Sequence, residues 1–373
     1  MPSALVTGAT GKIGPLLVRE LLQHNYEVRL LVRSDTIHNS ESYHNSESYN
    51  PFNLYSLAAL PRVKVVCGDI ADYKSLSDAV AGVDYVFHLA ALLHVVAPPR
   101  SMYDRYYDVN VTGTWNVLKA SFHAGVKRVV FFSTISVYGP GKYGDLLMEE
   151  SALNPVTPYA ESKALAEKVV SHFNMLCGKK AFVTTLRVAS VYGTRMTGNY
   201  ERLVKFVRKG VFVIPDVQGR AQEGCRPLLH RRSEERCVSA GAVRTLIHEQ
   251  DVVRGAMLAA LHPEAAGKIY NLTDGRIHCL EDIVLAISDA FSKDILLVKL
   301  PEAPLRFVAD IMERMQRCGC LPERPCAFIS YIASLLDKLM ENCAVSGAKI
   351  QKELGFMPVY DLQSGWSQAL KNL

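Results

Sequence analysis

Tyr159 and Lys163 lie four residues apart in "NPVTPYAESKALAE". Residues at i and i+4 share a helix face, so the two side chains point the same way. A free phenol has a pKa of about 10 and is a poor base at neutral pH. A nearby ammonium stabilises the phenolate and lowers that value. The pair therefore has the makings of a general acid–base. A Tyr-x-x-x-Lys spacing also arises on ordinary helix surfaces. What sets this one apart is "FFSTISVYG", which ends an apolar run about 25 residues upstream. A hydroxyl there can hold the reacting oxygen of a substrate beside the tyrosine.

A second constellation lies at the N-terminus. "TGATGKIG" places Gly8, Gly11 and Gly14 between an apolar run and a helical pattern. Glycine suits a chain that turns tightly, approaches a pyrophosphate and then packs a helix against a sheet. The free N–H groups of the helix N-terminus face the phosphates. The loop residues Gly8, Thr10, Gly11, Lys12, Ile13 and Gly14 are thus candidate dinucleotide contacts, with a structural glycine turn as the alternative. The second strand ends "LLVRS", with Arg33 where an acid would bind a free ribose 2′-hydroxyl. A guanidinium suits a 2′-phosphate, and Lys12 adds charge. This favours NADP and leaves NAD open, with Arg33 stacked on the adenine and Asp35 or a backbone group on the ribose. Asp69 and Ile70 end the next strand, where an aspartate can meet the adenine amino group. In "HLAA", Leu89, Ala90 and Ala91 let the backbone approach the cofactor.

The elements that must hold these residues follow from the rest of the chain. Of 373 residues, 49% are apolar and 21% charged, as in an ordinary soluble enzyme. The net charge of +5 is mild and the basic residues are scattered, which gives no support to nucleic-acid binding. A strand begins almost at Met1, and no apolar run nears the roughly 20 residues that span a bilayer. The expectations are a cytoplasmic protein and no membrane partner. "AFISYIASLL" reads as a buried helix. Nine cysteines at irregular spacing, with Cys318, Cys320 and Cys326 lacking a second ligand pair, argue for reduced thiols and no metal site.

Apolar β-rich runs alternate with amphipathic helices through the first half. This pattern predicts an α/β fold, a Rossmann-type doubly wound parallel sheet. The second half is less regular and reads as a smaller, mixed C-terminal substrate lobe. The expected boundaries are 1–193 for the cofactor-binding domain and 194–373 for the lobe, with part of 245–275 returning to the sheet. Loop insertions are expected at 36–60, which holds the tandem repeat "HNSESYHNSESY", and at 216–243.

In order along the chain, "TGATGKIG", "GDI", "HLAA", "NVTGT", "STISVYG", "PYAESK" and "LRVASVYG" resemble the extended short-chain dehydrogenase/reductase family, the NAD(P)-dependent epimerases and dehydratases. The resemblance implies that Tyr159 is the catalytic acid or base. It implies that Lys163 binds the nicotinamide ribose and tunes Tyr159. The active hydroxyl falls four residues before the tyrosine of "VYG", at Thr134 rather than Ser133. Asn110 in "NVTGT" is similar to the family's supporting asparagine, with a plain helix-start residue as the alternative. A homodimer through a helix pair that includes the Tyr159 helix is also implied.

The substrate side rests on fewer residues. Asn199 precedes the helical run "YERLVKFVRKG", where an asparagine at a helix start suits a diphosphate. "RTLIHEQDVV" resembles a stretch of nucleotide-sugar epimerases whose arginine grips the diphosphate, here Arg244. The closing "SGAKIQKELGFMP" also matches the family. The resemblance thus implies a nucleotide-sugar epimerase or reductase. A further arginine usual in such enzymes is missing from "CAFISYIASLLDKLMENCA". The apolar helices between Ala303 and Cys343 suit the alternative, an NADP-dependent reductase or dehydrogenase of a sterol- or flavonoid-like ketone or alcohol.

Overall fold

A computed structural model of the chain describes residues 1–36, 53–93, 99–142, 144–178, 181–194, 196, 198–216, 242–301 and 342–371. The tandem repeat, Cys318, Cys320, Cys326, the "AFISYIASLL" run and residues 217–241 lie outside the described residues.

The first half runs β1 (Ser3–Thr7), α1 (Gly14–Gln23), β2 (Glu27–Val32), α2 (Leu54–Ala58), β3 (Val63–Cys67), α3 (Tyr73–Val80) and β4 (Tyr85–His88). It continues with α4 (Tyr103–Tyr107), a π-helical turn (Asp108–Thr112), α5 (Gly113–His123), β5 (Arg128–Thr134), α6 (Pro158–Cys177) and β6 (Val183–Val188). The second half adds β7 (Ser190–Tyr192), α7 (Asn199–Val207), β8 (Val211–Asp216), β9 (Val243–Arg244), β10 (Leu246–His248), α8 (Glu249–Leu261) and β11 (Ile269–Leu272). It ends with β12 (His278–Cys279), α9 (Leu280–Ala290), β13 (Leu296–Pro301), α10 (Ala348–Leu354) and α11 (Leu362–Leu370).

Seven strands form one parallel sheet in the order β3-β2-β1-β4-β5-β6-β11. The α/β doubly wound architecture read from the sequence is therefore present. Alternate residues of β1 feed separate cores: Ala4 and Val6 face one layer and Leu5 the other. Burial on both faces is why these strands read as continuous apolar runs. The order reverses between β1 and β4. Ligands of such sheets bind at that point, outside the carboxyl ends of the strands. Gly8 follows β1 and Leu89 follows β4, so the two cofactor motifs meet there.

Three local features differ from the sequence reading. Within the loop expected at 36–60, Leu54–Ala58 form a helix. Asn53 caps it by accepting from Ser56 N at 2.8 Å, while Leu54 and Leu57 sink into the core. The Asn110 helix begins earlier than its motif, at Tyr103, and carries the π turn. Gly198, with φ 72°, caps α7, so Asn199 is its first helical residue.

The lobe is built from short pairs: β7 with β10, β8 with β13, and β9 with β12. Residues 342–346 tie it to the first half of the chain. Asn342 and Ala344 carbonyls accept from Gly141 N at 2.8 Å and Leu147 N at 2.9 Å. On the other edge Cys343 N donates to Val243 O at 2.9 Å and Thr245 N to Cys343 O at 3.1 Å. Among the described residues, no helix is long and apolar enough to cross a membrane.

Trp366 of α11 centres the lobe's core, stacked on Tyr192 with ring centroids 4.8 Å apart. Truncating a buried aromatic loses transfer energy and leaves a cavity. Trp366→Ala should lower stability by about 3–5 kcal/mol, read as an earlier unfolding midpoint in urea. A loss under about 1 kcal/mol would show that the lobe does not rest on this contact.

Candidate active site

The glycine loop is shaped by close approach. Gly8 has φ +72°, and a Cβ there would stand 2.7 Å from Ala90 N. A Cβ on Gly14 would collide with the Ala9 backbone. Gly11 N closes the turn on Gly8 O at 3.0 Å. Helix α1 then starts with Ile13 at its cap and no side-chain hydrogen bond there. A cradle with no room for Cβ atoms, facing a helix start with orphan N–H groups, fits a pyrophosphate. Lys12 turns out of the loop toward the lobe, its Nζ 3.3 Å from Val191 O. Arg33 is exposed and pairs with Asp35 at 3.3 Å. Asp69 accepts from Ala71 N at 2.9 Å. The Ile70 side chain is buried under Gly113, so it offers only backbone to a ligand. Ala90 N donates to Thr7 Oγ1 at 3.2 Å, and Leu89 N to Thr7 O at 3.2 Å.

Thr134 ends β5 and starts the turn Ile135–Tyr138. Its Oγ1 donates to Ser136 Oγ at 3.1 Å and accepts from Ser136 N at 3.2 Å. Ser133 points the other way, buried, and donates to Glu167 Oε1 at 2.5 Å. The structure thus separates the two hydroxyls as the strand alternation requires.

Thr157 caps α6 by accepting from Ala160 N at 3.2 Å, and Pro158 occupies its first turn. That places Tyr159 at the helix start and Lys163 one turn on. The helix packs on β5 and on the turn after Thr134. Lys163 is 2% exposed, with Nζ 4.1 Å from the Phe131 ring centroid. Among the described residues neither the Tyr159 hydroxyl nor the Lys163 ammonium has a hydrogen-bond partner. Two orphaned polar ends on one helix face fit the ribose and reacting oxygen of a bound dinucleotide and substrate. Burial pushes the Tyr159 phenol up to about 12, with nearby Tyr106 adding to it. Burial pushes Lys163 down to about 7, and Glu167 only partly opposes it.

Asn110 sits on the π turn, 1% exposed. It accepts from Leu92 N at 2.8 Å and donates to Leu92 O at 3.1 Å and Ser162 Oγ at 2.8 Å. It therefore fastens the loop after β4 to α6. π turns often mark functional sites, because the extra residue re-aims a side chain.

Several residues beneath the site went unread in the sequence. Arg187 of β6 holds Glu167 with Nε at 3.0 Å and Nη2 at 2.7 Å. Its Nη1 donates to the Tyr138 hydroxyl at 2.7 Å, and Tyr138 donates to Asn271 Oδ1 at 2.7 Å. Glu167 lies four residues after Lys163, so the helix-face signal was available. Its partners come from distant strands.

Asn199 and Arg244 line the same pocket in the lobe, with Tyr200, Leu203, Phe206, Phe212, Leu280 and Ile283. The Tyr200 phenol is raised by burial and eased by Arg244 and Ser190 beside it. Among the described residues no group of three His, Cys, Asp or Glu side chains is placed to hold a metal.

The family model described as "NAD dependent epimerase/dehydratase family" matches residues 4–273. The N-acetyl-alpha-D-glucosaminyl-diphospho-ditrans,octacis-undecaprenol 4-epimerase of Escherichia coli O157:H7 is 36% identical over 147 residues, 39% of this chain and 43% of that protein. The match thus spans under half of that relative. The 3 beta-hydroxysteroid dehydrogenase/Delta 5-->4-isomerase of Mycobacterium tuberculosis is 27% identical over 98% of this chain and 89% of its own. A crystal structure of the dTDP-glucose 4,6-dehydratase DesIV from Streptomyces venezuelae, with NAD and TYD bound, is 25% identical. It superposes with a TM-score of 0.65 over 99% of this chain and 96% of that one. The family match reaches every strand of the seven-stranded sheet. An α/β chain with this sheet order, glycine loop and Tyr–Lys helix is an extended short-chain dehydrogenase/reductase, and it belongs to the NAD dependent epimerase/dehydratase family.

Proposed function

We propose that this enzyme acts on a nucleotide-diphosphate sugar, with Tyr159 moving the proton of a ring oxygen. The observation that carries this reading is the shared pocket of Asn199 and Arg244. A guanidinium beside the first turn of α7 suits a diphosphate, by charge and by free N–H groups. The apolar wall of Leu203, Phe206, Phe212, Leu280 and Ile283 suits the flat face of a base.

NAD or NADP supplies two-electron redox chemistry when bound. Its pyrophosphate would lie on Gly8, Thr10, Gly11, Lys12, Ile13 and Gly14, its adenosine near Arg33, Asp69 and Ile70, and its ring side along Leu89, Ala90 and Ala91. Arg33 supports a preference for NADP, because a 2′-phosphate would compete with Asp35 for its guanidinium. Tyr159, with its phenol held protonated by burial, is a donor to a carbonyl oxygen. To act as base it needs positive charge beside it, which Lys163 carries once a phenolate forms. Thr134 holds the same substrate oxygen through its hydroxyl. Asn110 keeps the helix that bears Tyr159 in place. A homodimer through α5 and α6 is part of this reading, supported by Phe122 and Leu165, 48% and 40% exposed there.

A second reading, reduction or oxidation of an apolar ketone or alcohol, is favoured by the five apolar pocket side chains and the steroid dehydrogenase relative. Thermal shift separates the two. One of UDP-glucose, dTDP-glucose or GDP-mannose should raise the melting temperature by a few degrees at about 100 times its Kd. Arg244→Met should weaken that ligand by about tenfold or more. No shift with any of them, alongside saturable NADPH oxidation with a sterol ketone, moves the assignment to the second reading.

Tyr159→Phe should lower turnover by about 10²–10⁴-fold while leaving NAD affinity near that of the unaltered enzyme. Surviving turnover would remove Tyr159 from the proton step.

Lys163 ties catalysis to stability. Its folded pKa is about 7 against 10.5 when unfolded. The unfolded chain binds more protons in that window, so stability rises with pH through it. Lys163→Met removes the buried cation and should raise the melting temperature, most at or below pH 7. The gain should shrink as pH climbs toward the unfolded value. A gain that is flat with pH would show that Lys163 is not desolvated as the geometry requires.

A further inference from the structure

Beneath the cofactor loop, the buried side chains of Thr7, His88 and Thr114 form a hydrogen-bonded run that ends on the Asn110 main-chain carbonyl, and counting protons fixes its direction. Thr7, His88, Thr114, Asn110 and Ser162 are each no more than 4% exposed. A carbonyl only accepts, so the Thr114 hydroxyl donates to Asn110 O at 2.7 Å. That spends its one proton. Thr114 Oγ1 also lies 3.0 Å from His88 Nε2, where it must accept. Nε2 therefore carries the ring proton. On the other edge, Thr7 Oγ1 accepts from Ala90 N at 3.2 Å and lies 2.8 Å from His88 Nδ1. An imidazole protonated at Nε2 accepts at Nδ1, so the Thr7 hydroxyl donates there. A doubly protonated ring would leave the Thr7 hydroxyl proton with no acceptor among the described residues. Burial, with Lys163 nearby, pushes His88 down to about 3, in agreement with a neutral ring.

A second run starts from the Asn110 side chain. Its Nδ2 donates to Ser162 Oγ at 2.8 Å, and Ser162 Oγ donates to Tyr159 O at 2.8 Å. Asn110 thus joins two runs: its main-chain carbonyl ends the one from Ala90 N, on the cofactor-facing backbone, and its side-chain amide starts the one that reaches the Tyr159 peptide. Thr7 is the residue before Gly8, so the glycine loop hangs on the first run. A flat ring with an acceptor on one edge and a donor on the other is a rigid spacer between the two threonines.

We propose that His88, as the neutral imidazole protonated at Nε2, is a positioning residue that fixes the cofactor-facing backbone at Ala90 against the start of the catalytic helix at Tyr159. The inference rests on family cofactor use and not on the sugar assignment. It concerns how the chain holds NAD, and it does not put His88 in contact with the reacting atoms.

Two measurements test it. The first is calorimetric titration of the full chain with NAD, for the unaltered protein, His88→Phe and His88→Gln. Phe keeps a flat ring of similar size without either polar edge, and should bind NAD about tenfold more weakly. Gln restores one donor and one acceptor and should recover most of that loss. Unchanged affinity in His88→Phe, or an equal loss in both variants, would overturn the positioning role. The second is ¹⁵N NMR of the histidine rings at pH 7, with His88 identified by its disappearance in His88→Gln. A neutral ring protonated at Nε2 is expected. An imidazolium, or a proton on Nδ1, overturns the proposal even if His88→Phe fails to fold. If the unaltered protein binds no NAD, the cofactor assignment fails, and the ring tautomer still decides the direction of the chain.

Discussion

Where Tyr159 and Lys163 point depends on how α6 is rotated about its own axis. The proposed role of Tyr159 and Lys163 requires that their common face meet the end of β5. Glu167, one turn further along, sets that angle. Its carboxylate is gripped by Arg187 from β6 and by Ser133 from β5, so two neighbouring strands hold one helix side chain. Glu167 and Arg187 are each about 4% exposed, deep enough that desolvating the charges offsets much of their attraction. Such a pair is therefore poor evidence for stability. Its contribution is orientation, because removing one partner strands the other charge at a cost of about 3–5 kcal/mol. The same arginine reaches Tyr138, and through it Asn271 and the Ser346 carbonyl. The clamp on the helix and the seam to the lobe are one network.

The site also shows what burial does to a cation. Lys163 sits over Phe131 with no protein acceptor among the described residues. A surface lysine would be satisfied by water and would influence Tyr159 weakly through a high dielectric. Placed here it loses hydration, and burial pushes it down to about 7. The fold tolerates that because the surrounding helix and strands are pinned by neighbours, not by the lysine itself. Strain at a site is commonly supported by order elsewhere.

Much of this was legible in the chain because it is local. The glycine loop, the four-residue step from Tyr159 to Lys163, and the alternating apolar runs of the sheet all lie within short windows. Periodicity reads such features well. The Leu54–Ala58 helix was missed because a polar repeat beside it dominated the composition, although Asn53, Leu54 and Leu57 carry a cap and a buried face. The π turn at Asp108–Thr112 has no sequence period of its own. Arg187, Asn271 and the strip at 342–346 were unreadable for another reason. Their meaning lies in partners tens to hundreds of residues away, and a buried arginine looks like any other until its carboxylate is found. Asn199 and Arg244 fall between these cases: each had a local rationale, and only the fold could put them in one pocket.

The strip at 342–346 has a consequence for the order in which the molecule comes into being. It is the strand that joins the loop after β5 to the strand bearing Arg244, and Trp366 behind it fills the lobe's core. Both come late in the order of synthesis. The strands β1 to β6, the glycine loop and α6 are complete long before. Chains emerging from the ribosome fold their early units first. The loop proposed to hold the dinucleotide is therefore made before the pocket proposed for the substrate, and a cofactor bound early would stabilise the half-made chain while the lobe is still being written.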